Sequence, residues 1–145
     1  MGMEHLKRFA RSDKKALLVV TDGEDNSSFE TLARVSRSAQ QSGVLIYAIG
    51  LLSDNNPREA ARAKRDLDTL TLATGGEAFY PNDLAEVDGI ARHVAHDLRN
   101  QYTIAYSPSD PKLDGTFRKI RVTVAAPDAV VRTRTGYYAK SGPES

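Results

Sequence analysis

The chain has 145 residues, 40% of them hydrophobic, which suffices for one domain with a core and leaves too little for a second. Lys+Arg 20 against Asp+Glu 19 gives a formal charge of +1, so no whole-chain field draws in nucleic acid or an anionic membrane surface. The lack of cysteine excludes disulfides, thiolate metal sites and cysteine nucleophiles, and no stretch approaches the roughly 20 apolar residues of a membrane span.

"MGMEHLKRFARSDKK" lacks the apolar run of a signal peptide, and its two methionines suggest an edited or shortened start over residues 1–13. Residues 16–21, "ALLVVT", are apolar as far as Thr21, the pattern of a strand covered on both faces of a parallel sheet. In the next segment Ser27 and Glu30 have capping-box spacing, and Phe29, Leu32, Ala33, Ser36 and Ala39 share one helical face. Gly43 stands where a glycine would end that helix. Residues 44–52, "VLIYAIGLL", read as a second buried strand and complete a βαβ unit.

In "SDNNPRE" Asn56 is placed to cap a helix, Pro57 takes its first position and Glu59 its third. That helix runs to "ATGG", with Leu67, Leu70 and Ala73 facing inward. "EAFYP" is a short third strand closed by Pro81. From Asn82 or Asp83 a further helix carries Leu84, Val87, Ile90 or Ala91, Val94 and Leu98 at spacings of three and four.

Beyond residue 101 the pattern changes. "YTIAYS", "RKIRVTVAA" and "AVVRTRTGYY" read as three strands of an antiparallel meander, interrupted by the turn-rich "PSDPKLDGTF", with Arg118, Arg121, Arg132 and Arg134 on wet faces. The expected fold is α/β: a doubly wound, Rossmann-like parallel sheet of about three strands with flanking helices, plus this C-terminal antiparallel β meander. Residues 14–101 form the α/β part, 102–139 its β extension and 140–145 a tail.

"LLVVTDGEDNSS" sets Asp22, Glu24, Asp25 and Asn26 at the carboxyl end of the first strand, where parallel sheets collect ligands. Asp22 is the candidate metal residue, suited to a hard divalent cation such as Mg²⁺, which takes oxygen donors and often only one or two carboxylates. The same stretch also reads as a turn at Asp22 and Gly23 followed by a helix cap from Asp25 to Ser27. His93 and His96 share a helical face with Asp97 nearby, a set able to ligate a metal, but they lie off the apolar stripe and read more simply as solvated. No Gly-x-Ser-x-Gly elbow marks a nucleophile, and "TGG" at 74–76 lacks the Gly-Lys-Ser/Thr of a phosphate loop and reads as a helix stop. Tyr102, Tyr106, Tyr137 and Tyr138 interleave with arginines, yet near-neutral charge and ordinary strand alternation argue against a nucleic-acid platform.

Taken in order, "KKALLVVTDGEDN", "VLIYAIGL" and "LATGGEAFYP" resemble the second half of a von Willebrand factor type A domain. The likeness continues through "LRNQYTIAYSPSD", "GTFRKIRVTV" and "VVRTRTGYYA", which resemble the bacterial VWFA-related family first described from Acidobacteria. It spans residues 14–139. The resemblance implies a metal-ion-dependent adhesion site held by an Asp-x-Ser-x-Ser loop, a threonine of a middle loop and an aspartate of the "TDG" type. Asp22 matches the last. The sequence contains no Asp-x-Ser-x-Ser, and no middle segment precedes Lys14, so the expected site is incomplete and binds Mg²⁺ weakly or not at all.

The resemblance further implies a non-enzymatic, adhesion-type module with a protein partner, from a family commonly associated with exported or envelope-facing proteins. The compartment itself stays open. With the family's first strand missing, residues 16–21 become an exposed apolar edge, expected to self-associate or to borrow a segment from another chain. The alternative is a Mg²⁺-dependent phosphotransfer domain of receiver type using Asp22. It requires a second acidic cluster and a lysine at a later strand end, which "YAIG" and "EAFYP" do not supply.

Overall fold

The central element is strand β2 (Val44–Gly50), whose β-branched and apolar residues let it lie buried between two parallel neighbours. The computed structural model describes residues 15–22, 29–52 and 56–140, the side chains of 29–32 excepted. Glu24, Asp25, Asn26 and the expected Ser27 cap therefore lie outside the described residues, as do the start and most of the tail. β1 (Lys15–Thr21) pairs with β2 along its whole length, from Lys15 opposite Val44 to Thr21 opposite Gly50. β3 (Ala78–Phe79) pairs on the other side with Ala48 and Ile49, giving the order β1-β2-β3.

Two crossover helices make the parallel pairing possible: α1 (Phe29–Ser42) between β1 and β2, and α2 (Pro57–Thr74) between β2 and β3. Both lie on one sheet face. Val44 and Ile46 point there from β2, with Leu17 and Val19 of β1, and pack against Val35 and Ala39 of α1 and Leu70 of α2. The caps follow the sequence reading. Asn56 Oδ1 accepts from the Glu59 N–H with Pro57 at the helix start, and Gly75 ends α2 at φ 87°. Tyr80 then ties the end of β3 back to α2, because its hydroxyl donates to Asp68 Oδ1 at 2.7 Å. Burial and that carboxylate push its phenol well above the usual tyrosine range.

The opposite face carries Tyr47 and Ile49 and is covered by α3 (Val87–Arg99), which follows a 3₁₀ turn at Leu84–Glu86. Phe79 of β3 meets the His93 ring of α3 edge to face, with centroids 5.5 Å apart, which fixes α3 over this side. Helices on both faces make the sheet doubly wound, as expected. Asp83 caps the turn, accepting from the Ala85 N–H while Glu86 reaches back to the N–H of Asp83. Leu84, expected on the inward stripe, is instead exposed, because it belongs to this turn and precedes α3.

β3 is too short to satisfy the lower edge of β2, and the end of α2 takes over. The Ile46 N–H donates to Thr74 Oγ1 at 3.0 Å, and the Ala48 N–H to the Glu77 carbonyl at 3.0 Å. Thr74 is buried for this reason, and Thr71, buried beside it, turns its hydroxyl back to the Leu67 carbonyl; apolar periodicity alone reveals neither. Thr74→Val should leave the Ile46 N–H without its acceptor and lower stability by about 1–3 kcal/mol. Thr69→Val, which removes an exposed hydroxyl bonded only to the Arg65 carbonyl of its own helix, should change it by less than about 0.5 kcal/mol. Urea denaturation midpoints separate the two.

The C-terminal part holds β4 (Phe117–Lys119) and β5 (Gly136–Tyr138), antiparallel with Arg118 opposite Tyr137. The pair packs on α1, where Arg37 lies over the Tyr138 ring at 5.4 Å. Of the three strands read in the sequence, these two form the sheet and "YTIAYS" stays outside it. A strand needs a ladder partner, and β3, two residues long and followed by Pro81, offers no edge long enough. Arg118, expected on a wet face, is mostly covered: its guanidinium donates to the carbonyls of Asp110 and Lys112 and pairs with Asp110 at 3.3 Å, closing the turn before β4.

β1 forms the rim of the sheet. Leu17 and Val19 face the core, but Leu18 and Val20, on the other face, are 45% and 59% exposed, so β1 is covered on one face rather than two. No described strand pairs with its outer edge. Among the described residues no helix is long and apolar enough to cross a membrane.

Candidate functional site

Asp22 is exposed just beyond the end of β1. The Leu51 N–H donates to the Thr21 carbonyl at 2.8 Å, so the ladder continues past Gly50 and holds the backbone before Asp22 firmly in place. Asp22 thus stands at the carboxyl edge of the sheet, where the sequence reading placed it and where parallel sheets bind ligands. Its sequence neighbours Glu24, Asp25 and Asn26 lie outside the described residues. Among the described residues Asp22 belongs to no group of three metal-ligating side chains.

Such a group does form elsewhere. Glu77, just before β3, and His93 and Asp97, one turn apart on α3, each offer a ligand atom, and these atoms lie within 4.8 Å of one another. His93 Nε2 is 3.3 Å from Glu77 Oε2 and 3.5 Å from Asp97 Oδ2. Arg132 approaches the same two oxygens, Nη1 donating to Glu77 Oε2 and Nη2 to Asp97 Oδ2. Three segments far apart in the chain are thereby joined under the sheet.

Tyr47 of β2, buried on the same sheet face, feels the charges of the cluster. Burial, and next the Asp97 carboxylate, push its phenol up, and Arg132 partly offsets them. The sequence reading named His93, His96 and Asp97 together and took the histidines as solvated. The structure keeps His93 with Asp97, adds Glu77 and Arg132, and turns His96 away, its Nδ1 lying 3.3 Å from Asn100 Nδ2. Arg132, expected on a wet face, is a third exposed and spent on two carboxylates. The one sequence signal for the group was the i, i+4 spacing of His93 and Asp97.

Near β5, Tyr106 and Tyr137 meet edge to face with centroids 6.5 Å apart, and Arg134 lies over Tyr137 at 5.7 Å. The Tyr102 side chain, 94% exposed, stands away from them, so the four tyrosines do not line up as one stacking surface.

The sequence model of the von Willebrand factor type A domain matches residues 2–93. The match begins ahead of the motifs quoted above and ends within α3, before the β extension. No curated protein and no solved structure matches the chain.

Proposed function

The chain belongs to the von Willebrand factor type A domain family, and from that membership we propose that it is a non-enzymatic, adhesion-type module that binds a protein partner. The observation that carries this reading is the position of Asp22. It matches the family's "TDG" aspartate and stands exposed at the carboxyl edge of a doubly wound sheet, where a bound cation would face an incoming acidic group. The motifs from 102 to 139 support assigning it to the bacterial VWFA-related branch, and those from 14 to 101 to the later part of the family's domain.

In this reading the adhesion site is incomplete, since Asp22 is joined by no Asp-x-Ser-x-Ser motif in the sequence. One carboxylate and waters hold Mg²⁺ poorly, because the ion gives up its hydration shell reluctantly. Calorimetric titration with Mg²⁺ or Mn²⁺ is expected to show weak or undetectable binding, the same in Asp22→Ala. Submicromolar binding that disappears in Asp22→Ala would overturn the incomplete site. Partner engagement in this proposal also uses the outer edge of β1, with which no described strand pairs, by self-association or by strand addition from another chain.

A further inference from the structure

We propose that Glu77, His93 and Asp97 form a second cation site, separate from Asp22, that takes a borderline transition-metal ion of the Zn²⁺ class. The donor set is one imidazole nitrogen and two carboxylate oxygens, a mixture that suits Zn²⁺ and its neighbours, whereas Mg²⁺ and Ca²⁺ take oxygen alone.

Spacing supports the same ion. The two separations from His93 Nε2, 3.3 Å to Glu77 Oε2 and 3.5 Å to Asp97 Oδ2, exceed the usual 2.7–3.2 Å of a direct N–H···O bond. Ligands about 2.0–2.1 Å from a tetrahedral Zn²⁺ lie about 3.3 Å apart, close to the two separations from His93 Nε2, and the three ligand atoms all fall within 4.8 Å of one another. Three protein ligands leave the fourth position to water, and His93, half exposed, gives access to it.

The site is held in place before any ion arrives. Phe79 supports the His93 ring edge-on, one turn of α3 places Asp97 beside it, and Arg132 donates to both carboxylate oxygens. Each carboxylate oxygen has more than one lone pair, so the guanidinium does not exhaust them. Charge points the same way: two carboxylates and one guanidinium leave one negative charge over when His93 is neutral. Arg132 therefore orients the ligands and also competes, because its positive charge opposes that of the ion.

Calorimetry with Zn²⁺ and visible spectroscopy with Co²⁺, on untagged protein, test the site. Wild type is expected to bind one Zn²⁺, with a Co²⁺ spectrum of tetrahedral intensity. His93→Gln and Asp97→Asn should each weaken binding at least tenfold, and Asp22→Ala should leave it unchanged. Arg132→Gln, which removes the competing charge, should strengthen it about tenfold. Asp22 is exposed and His93 half exposed, whereas Asp97 and Arg132 are partly covered, so circular dichroism verifies that each variant stays folded. Absence of Zn²⁺ binding by wild type at millimolar metal, or equal binding by His93→Gln, overturns the site. Binding lost in Asp22→Ala would do the same, by assigning the ion to the adhesion-site aspartate.

Discussion

Gly76→Ala is expected to destabilise the protein by more than about 4 kcal/mol, most of the stability of a domain near the lower end of the usual range of about 5–15 kcal/mol. A Cβ at this position would stand 1.9 Å from the carbonyl oxygen of Ile46 and 2.7 Å from its carbon. Neither side can give way. Ile46 is fully buried in the central strand, and Gly76 is pinned by its own N–H, which donates to the Thr71 carbonyl at 3.0 Å. Moving α2 away would also break the bond from the Ile46 N–H to Thr74 and loosen Leu70 from the core. Gly89→Ala is the matched control, since it lies within α3 with nothing inside 4 Å of its Cβ. There alanine should stabilise by about 0.5–1 kcal/mol through reduced freedom of the unfolded chain. Denaturant midpoints moving in opposite directions for the two glycines would confirm the assignment, and similar midpoints would refute it.

The sequence disclosed the elements whose signals are local. β1, α1, β2, α2 and β3 rest on continuous apolar runs, on Asn56-Pro57 at a helix start, and on Gly43 and Gly75 at helix ends, and these are short-range steric and hydrogen-bonding requirements. Where the reading went wrong, a tertiary partner decided. Residues 102–107 have good strand character but find no edge to pair with, and Leu84 has the right spacing but falls in the 3₁₀ turn ahead of α3. Burial of Thr71 and Thr74 was hidden for a related reason: a threonine whose hydroxyl serves the edge of β2, as Thr74 does, or its own helix, as Thr71 does, has no apolar signature.

The site divides along the same line. Asp22 was legible because strand end and carboxylate are adjacent in sequence. The second cluster was half legible: His93 and Asp97 are four residues apart, but Glu77 and Asp97 reach Arg132 across separations of 55 and 35 residues. Pairs that distant leave no periodicity to read. The wet-face assignment of Arg132 followed from strand alternation, which carries no information about carboxylates brought in by another element.

Wild type is expected to self-associate through β1, as proposed, and Val20→Lys to be a monomer with a fold almost as stable as before. The Thr21 carbonyl points into the β1–β2 ladder, so by alternation the N–H and C=O of Leu18 and Val20 point outward, away from β2. The same two residues present exposed apolar side chains, which combines an apolar surface with a row of hydrogen-bonding groups that no described strand pairs. That combination is the template for edge-to-edge pairing, and natural sheets block it with a charge or a proline at such a position. Lys15 is the only charged residue of β1 and lies at its start, away from Leu18 and Val20. A lysine at Val20 would place an ammonium where a second strand must dock, whereas the core contributes little there, since Val20 is 59% exposed. Size-exclusion chromatography with light scattering at high micromolar concentration should give an oligomer for wild type and a monomer for Val20→Lys, with stabilities within about 0.5 kcal/mol. A clean wild-type monomer under those conditions would remove β1 as the docking edge and leave the carboxyl edge around Asp22 as the surface for a partner.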